Sequence, residues 1–323
     1  MAKRSQTSKT AGLSVQIVFV AKGVIVAIFL FFVDGLGIGK ADSTINPCMN
    51  DGFDFLNIFD KQRPIEIPMA GFARPVQTTL GVPGLPQSAT GQTTLLSGIN
   101  AGALLNKHLP GFPNEKLRTI LQEHSLLKQI KDLGFEPTFL NAYRPQFFEL
   151  KPQTQWRLSA TTVATLAADV PFNTFEDLKQ KRALYHDLTG EALIEKGFDV
   201  PILSEKQAAN IVTELLDQYD FILYEYFMTD RAGHKQNHGW ATQCLQQVDT
   251  FLRDMMESVD LKKHHVILSS DHGNIEDLSI RSHTRNPAMT LIWGPSAKKL
   301  TEQIESLEDI TPAILNLLEE TGN

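Results

Sequence analysis

His265–Gly273, HVILSSDHG, is a short run rich in apolar and β-branched residues that closes on Asp-His-Gly. Such a pattern is a buried strand ending in a turn, and it sets Asp271 and His272 at the strand's carboxyl end. The same design recurs twice. Ile28–Val33 leads into Asp34-Gly35, and Tyr219–Phe227, YDFILYEYF, ends just before Asp230. Near-continuous apolar runs suit strands covered on both faces by helices. Helical patterns lie between and after them: Thr242–Val259, and Glu302–Glu320 with Leu307, Ile310, Ile314 and Leu318 on one face. Alternating strands and helices predict an α/β fold. In open α/β sheets the carboxyl edge is where ligands and reacting groups gather, so the three acidic strand ends are the first candidates for a site.

The chain has 323 residues, 42% hydrophobic and 21% charged, enough for one large domain and a smaller one. A formal charge of -7 with no Lys/Arg-rich run argues against a nucleic-acid surface. An anionic substrate would then need local positive charge, such as bound metal ions. Cys48 and Cys244 have neither zinc-ribbon nor redox-pair spacing, so a reducing compartment, the cytoplasm, is expected. At the N-terminus a basic start and an apolar run resemble a signal peptide or anchor. Gln16 and Lys22 interrupt that run, and Ala27–Val33 leads straight into Asp34-Gly35. Its end is therefore read as the first core strand, residues 1–23 as an extension outside the fold, and export or anchoring as the lesser reading.

Gly111–Pro201 differs in texture, being richer in Lys, Arg and Gln, with helix-like runs on both sides of KPQTQWRLSATT. It is read as a small inserted α+β cap domain, 111–201, between the two parts of the core domain, 24–110 and 202–323. The cap holds Arg144 in NAYRP and Arg157 in QWRLS, whose guanidinium forks suit a substrate phosphate or carboxylate. It also holds His186 and Asp187, which either face a cleft or cap a helix.

Four segments supply ligand-type residues near strand ends or turns: FVDGLGIG with Asp34, LPQSATGQTTLLSGINAG, YFMTDRAGHKQ with Asp230 and His234, and SSDHGNIEDLSIRSHT with Asp271, His272 and His283. The second is a Ser/Thr-rich loop before a helix start, where backbone N–H groups and hydroxyls would meet an anion. Taken singly, each has a plainer reading, as an N-cap or an i,i+4 neighbour. Together they match what two metal ions require: carboxylate oxygens, imidazole nitrogens and one hydroxyl that a metal can activate. Gln92 and Asn114 either approach the phosphate or lie on the surface, Asn274 and Glu276 are supporting groups or turn formers, and His264 and His265 are read as polar loop residues.

FVDGLGIG, TDRAGH, SSDHGNIED with SHTRNP, and the terminal LEDITPAIL resemble the metalloenzyme domain of the cofactor-independent phosphoglycerate mutase and phosphopentomutase family, within the alkaline phosphatase superfamily. The resemblance covers most residues outside the expected cap. It implies an alkaline-phosphatase-like core sheet flanked by helices, and two divalent ions, Mn²⁺ or Zn²⁺. Asp34, Asp271 and His272 would bind one ion together with the nucleophile, and Asp230, His234 and His283 the other. Setting SATGQTTLLSGINAG against the family's reactive stretch puts Thr90 in the nucleophile's place, with Thr93 and Thr94 still open. The implied chemistry is phosphoryl transfer on a small phosphorylated metabolite through a phosphothreonine, as a phosphomutase or a phosphomonoesterase. A non-catalytic metal-binding protein and a phosphodiesterase on the same fold are the alternatives. The inserted region is far shorter than the second domain of the phosphoglycerate mutases, and no diagnostic substrate motif occurs in it.

Overall fold

The computed structural model describes residues 26–322, so the expected extension 1–23 lies outside the described residues. Seven strands form one sheet: β1 Ile28–Val33, β2 Ile65–Ile67, β3 Gly71–Val76, β4 Pro137–Phe139, β5 Phe221–Tyr226, β6 His265–Ser269 and β7 Ala288–Trp293. Their order is β2-β3-β7-β6-β1-β5-β4. β4, β5, β1 and β6 run parallel, while β7, β3 and β2 continue the sheet antiparallel.

The apolar runs have the cause expected for them. All six residues of β1 are buried, and they alternate between two cores. Phe29, Phe31 and Val33 face Val212 of helix Glu205–Leu215 and Leu245, Phe251 and Met255 of helix His238–Ser258. Ile28, Leu30 and Phe32 face Leu121, Ile130, Val163, Ile310 and Ile314 on the other side. With a period of two and both faces covered, no position of the strand is free to be polar. The sheet is thus the expected α/β core, flanked by helices.

Other boundaries move. The helix expected at Thr242–Val259 begins at His238, where Asn237 accepts a bond from Trp240 N. The one expected at Glu302–Glu320 is two, Ala297–Gln303 and Leu307–Gly322. Asp309 makes the break, accepting from Glu305 N, Ser306 N and the Ser306 hydroxyl and so starting a new helix.

The segment 111–201 is not set apart along its whole length. Its β4 pairs with β5 at the sheet's edge, and helices Glu115–His124, Leu126–Asp132 and Ala160–Ala167 supply Leu121, Ile130 and Val163 to the second core. A cluster of its own forms only later, around Ala142, Leu178, Tyr185, Leu193 and Val200. Strand β4 and these three helices bury their apolar faces on the common sheet, because a single short edge strand and its helices cannot make a core alone. No helix among the described residues is long and apolar enough to cross a membrane.

Candidate metal centre

Because β1, β5, β6 and β4 are parallel, their carboxyl ends share one edge, and the acidic turns meet there. Asp34 follows β1, its N–H bonded to Tyr226 O and its carbonyl accepting from the Thr229 hydroxyl. Asp271 follows β6 and accepts from Gly35 N at 3.4 Å. Two glycines permit the approach. Gly35 has φ +72°, and a Cβ on it would lie 2.9 Å from Asp230 Cβ; one on Gly91, in helix Ser88–Leu95, would lie 2.8 Å from Asp271 O.

The six expected ligands come together. His272 Nε2 lies 3.3 Å from Asp271 Oδ2 and 3.5 Å from Asp34 Oδ1. Asp230 Oδ2 lies 3.4 Å from His234 Nε2, and Asp230 Oδ1 3.5 Å from His283 Nε2. Two triads are close enough to hold an ion each, Asp34 with Asp271 and His272, and Asp230 with His272 and His283. His272 thus stands between both groups, and its ring stacks on that of His283 at 3.7 Å.

The donor set fits divalent cations. Asp34 Oδ1 and Asp271 Oδ2 are buried without a hydrogen-bond partner. Nδ1 of His283 is 2.8 Å from Pro86 O and Nδ1 of His234 is 2.7 Å from Arg281 O. A carbonyl only accepts, so Nδ1 carries the proton in each ring, and each neutral ring turns an Nε2 lone pair toward the centre. Those two Nε2 atoms face each other at 3.2 Å, an arrangement that a shared cation satisfies and a hydrogen bond between neutral rings does not.

The electrostatics point the same way. Burial, then the charges of Asp271, Asp230 and Glu225, push Asp34 well above the carboxylate range. Burial, then Asp230, pushes Asp271 up to about 8. Burial, then His283, pulls His272 down to about 3. Burial acts to raise Asp230, but the His234 hydrogen bond, the His272 charge and Asn274 hold it at about 2. Crowded carboxylates of this kind stay ionised together only beside positive charge.

Supporting groups fix the ligands. Glu276 accepts from Gly37 N, Asn274 N, the Thr284 hydroxyl and Asn286 Nδ2, tying the turn after β1 to the loop after β6. Asn274 donates to Asp230 Oδ1 at 2.6 Å, and Gln92 to Asp34 Oδ2 at 3.2 Å. Asn114 caps helix Glu115–His124 and takes no part. His264, in the loop before β6, and His265, the strand's first residue, are buried acceptors, for Ala27 N and Ser296 N. Cys48 and Cys244 are free and buried.

The nucleophile expected from the resemblance, Thr90, does not turn its hydroxyl toward the centre. Thr90 is fully buried, its hydroxyl donating to Gln87 O and accepting from Leu109 N. Thr93 and Thr94 bond back to Ala89 O and Thr90 O of their own helix. The hydroxyl that reaches the centre is Ser88, in the first turn, 3.1 Å from His272 Nε2. Its signal in the sequence was positional: the first residue of a helix, unlike the next three hydroxyl positions, has a side chain directed past the helix's N-terminus.

A cleft of about 750 Å³ opens over Asp34, Ser88, Gln92 and Asp230. Arg144 lines it and Arg157 does not; Arg157 is exposed elsewhere, and its expected substrate role has no support here. The cleft adds Arg231 and Glu225, neither of them expected as site residues, and His186, for which a place at a cleft was one of two readings. Glu225 is a buried carboxyl bonded by the Thr161 hydroxyl and pushed by burial to about 7. Asp187 caps the next turn, accepting from Gly190 N and Ala192 N.

Residues 189–320 match the Metalloenzyme superfamily. The 2,3-bisphosphoglycerate-independent phosphoglycerate mutase of Desulforudis audaxviator is 30% identical over 124 residues, 36% of this chain and 24% of its own. That of Chloroflexus aggregans is 32% identical over 136 residues, 37% of this chain and 25% of its own. The matched part thus spans about a quarter of these relatives' length. The alkaline phosphatase of the Antarctic bacterium TAB5 superposes over 92% of this chain and 98% of its own, with a TM-score of 0.55 at 13% identity. The match to the Metalloenzyme superfamily thus falls on the part of the chain that carries Asp230, His234, Asp271, His272 and His283, and the fold as a whole resembles that of the TAB5 alkaline phosphatase.

Proposed function

We propose that the chain is a metal-dependent phosphoryl-transfer enzyme acting on a small phosphate ester through a phosphoserine at Ser88. The observation that carries this reading is the Ser88 hydroxyl 3.1 Å from His272 Nε2, at the shared corner of two cation-fitting groups. Asp34, Asp271 and His272 would hold one ion, and Asp230 and His283, with His234 or the shared His272, would hold the other, Mn²⁺ or Zn²⁺ both suiting mixed Asp/His donors. Bound there, the ions supply positive charge for the phosphate oxygens and lower the pKa of a hydroxyl beside them.

The chain's own residues do the rest. Ser88 Oγ attacks phosphorus in line, an O–P bond forms, and the ester oxygen leaves with the bonding pair and takes up a proton. The N–H groups at the start of helix Ser88–Leu95 face the phosphoryl oxygens. Gln92 holds Asp34 in place, and Arg144 and Arg231 offer guanidinium groups to a further anionic part of the substrate. Water or a second substrate hydroxyl then takes the phosphoryl group from Ser88, giving hydrolysis or isomerisation.

Phosphorus NMR of Mn²⁺- or Zn²⁺-loaded protein with a panel of phosphate esters tests the reading. Ser88→Ala is expected to abolish product, a loss on the order of a thousandfold or more, while Thr90→Val retains most turnover. Retention by Ser88→Ala, or loss confined to the Thr90 variant, contradicts it.

A further inference from the structure

The cleft above the metal centre has a chemical character of its own. Its walls carry rings from two aromatic clusters. Tyr143 packs on Phe147 at 4.3 Å, and His186 stacks between Tyr185 and Phe227 at 4.0 Å from each. Phe112 adds a fifth carbocyclic ring at the same cleft and is 60% exposed. Burial holds His186 neutral, so its ring adds no charge to the wall.

Apart from Arg144, Gln146 and Arg231, the polar groups beside these rings are already bonded within the protein. Asn141 bonds both N and O of Glu225 through its side-chain amide. The Tyr143 hydroxyl pairs with Thr162 at 2.7 Å, and Ser159 pairs with Thr162 at 2.8 Å. A sugar or glycerate body, with a hydroxyl on nearly every carbon, would set those hydroxyls against ring faces and spent partners, which costs free energy for each one left unpaired. A flat ring meets the same walls by offset or edge-on stacking and leaves nothing polar unsatisfied.

We infer that the cleft takes phosphate esters whose alcohol portion is a flat aromatic ring system, with the phosphate on the metal centre and the ring among Phe112, Tyr143, Tyr185 and Phe227. The inference rests on the proposed phosphoryl-transfer reading for the position of the phosphate. It makes water the natural acceptor, since such a body carries no row of neighbouring hydroxyls to receive the phosphoryl group back. The Ser88 ester is then hydrolysed, water supplying the oxygen of the released phosphate and the proton returned to Ser88.

Calorimetric binding of phenylphosphonate and methylphosphonate to the metal-loaded full chain tests this without bond cleavage, so leaving-group reactivity does not enter. Phenylphosphonate is expected to bind on the order of tenfold more tightly. Phe112→Ser removes a ring that packs in no hydrophobic cluster of the described residues, so the fold survives it. Phe227→Leu keeps apolar bulk and removes a ring face. Each is expected to cut the preference about threefold. Equal affinities, no binding of either phosphonate, or a preference that neither variant moves overturns the inference. A preference without cleavage of any phosphate ester would leave the ring site standing and remove the phosphoryl-transfer reading; cleavage without the preference would do the reverse.

Discussion

Ser88 and Thr90 are two residues apart, and the distance between them marks where residue-scale reading stopped. Both are hydroxyls at a helix start, and composition does not separate them. What does is the turn of the helix, which directs Thr90 into Gln87 O and Leu109 N and leaves Ser88 facing His272. Asp34 and Asp271 stand out in the sequence because each follows an apolar strand, whereas His234 and His283 take their expected roles from the family resemblance. Arg231 does not stand out, since nothing in its local pattern distinguishes it from a solvated helix residue. Glu276 is the group on which the ligand geometry most depends, holding four donors from both sides of the centre. Glu276→Gln replaces an acceptor oxygen with a donor among donors. It is expected to cost about 1–3 kcal/mol in unfolding free energy and about 10- to 100-fold in metal affinity, measured by denaturant titration and by calorimetric metal binding. Unchanged metal affinity would show that the loop keeps its shape without it.

Elements were read best where one physical rule governs the whole segment. β1, β5 and β6 are buried on both faces, so their apolar runs are unbroken and their ends sharp. The break at Ile304–Ser306 escaped notice because Leu307, Ile310 and Ile314 continue a helical stripe, while the stop depends on one carboxylate capping from below. The early part of 111–201 reads as an insertion because of its polar surface, whereas its burial against the sheet is a tertiary fact. Helix Ser88–Leu95 owes its seat to Gly91. Gly91→Ala must push against Asp271 O, and is expected to destabilise by about 1–3 kcal/mol and to weaken metal binding with it, both measured on the purified variant by thermal unfolding and metal titration. A neutral outcome would mean that the helix can withdraw.

For the whole molecule, the crowded carboxylates couple stability to pH and metal. Asp271, raised to about 8, keeps its proton in the metal-free fold but loses it in the unfolded chain near pH 4. The fold then binds more protons than the unfolded chain, so metal-free stability falls as pH rises toward 8. His272, lowered to about 3, and Asp230, lowered to about 2, act in the opposite sense, but at lower pH. Between about pH 6.5 and 8 the Asp271 effect is clear of those lowered groups, and the raised Asp34, Glu225 and His234 add to it in sign. Thermal unfolding of chelator-treated protein is expected to fall across that window, and saturating divalent ion to remove the fall, because the ion takes the proton's place. A flat metal-free profile would contradict the carboxylate cluster. The sheet and the edge that carries the site were legible from the sequence, being set by strand burial and parallel pairing, whereas the set of six expected ligands came from the family resemblance. The cleft's ring lining was not legible, since it gathers side chains from segments that only the folded chain brings together.

The central claim is that Ser88 carries the phosphoryl group beside two metal ions, and acid-quenched protein tests it most directly. Metal-loaded chain is mixed with phenyl phosphate, quenched within the first turnovers, digested and mapped by mass spectrometry. Phosphate on Ser88, absent from chelator-treated protein and from Ser88→Ala, is the expected result. Turnover with the phosphate on Thr90, or with Ser88 unmodified at every quench time, would contradict it.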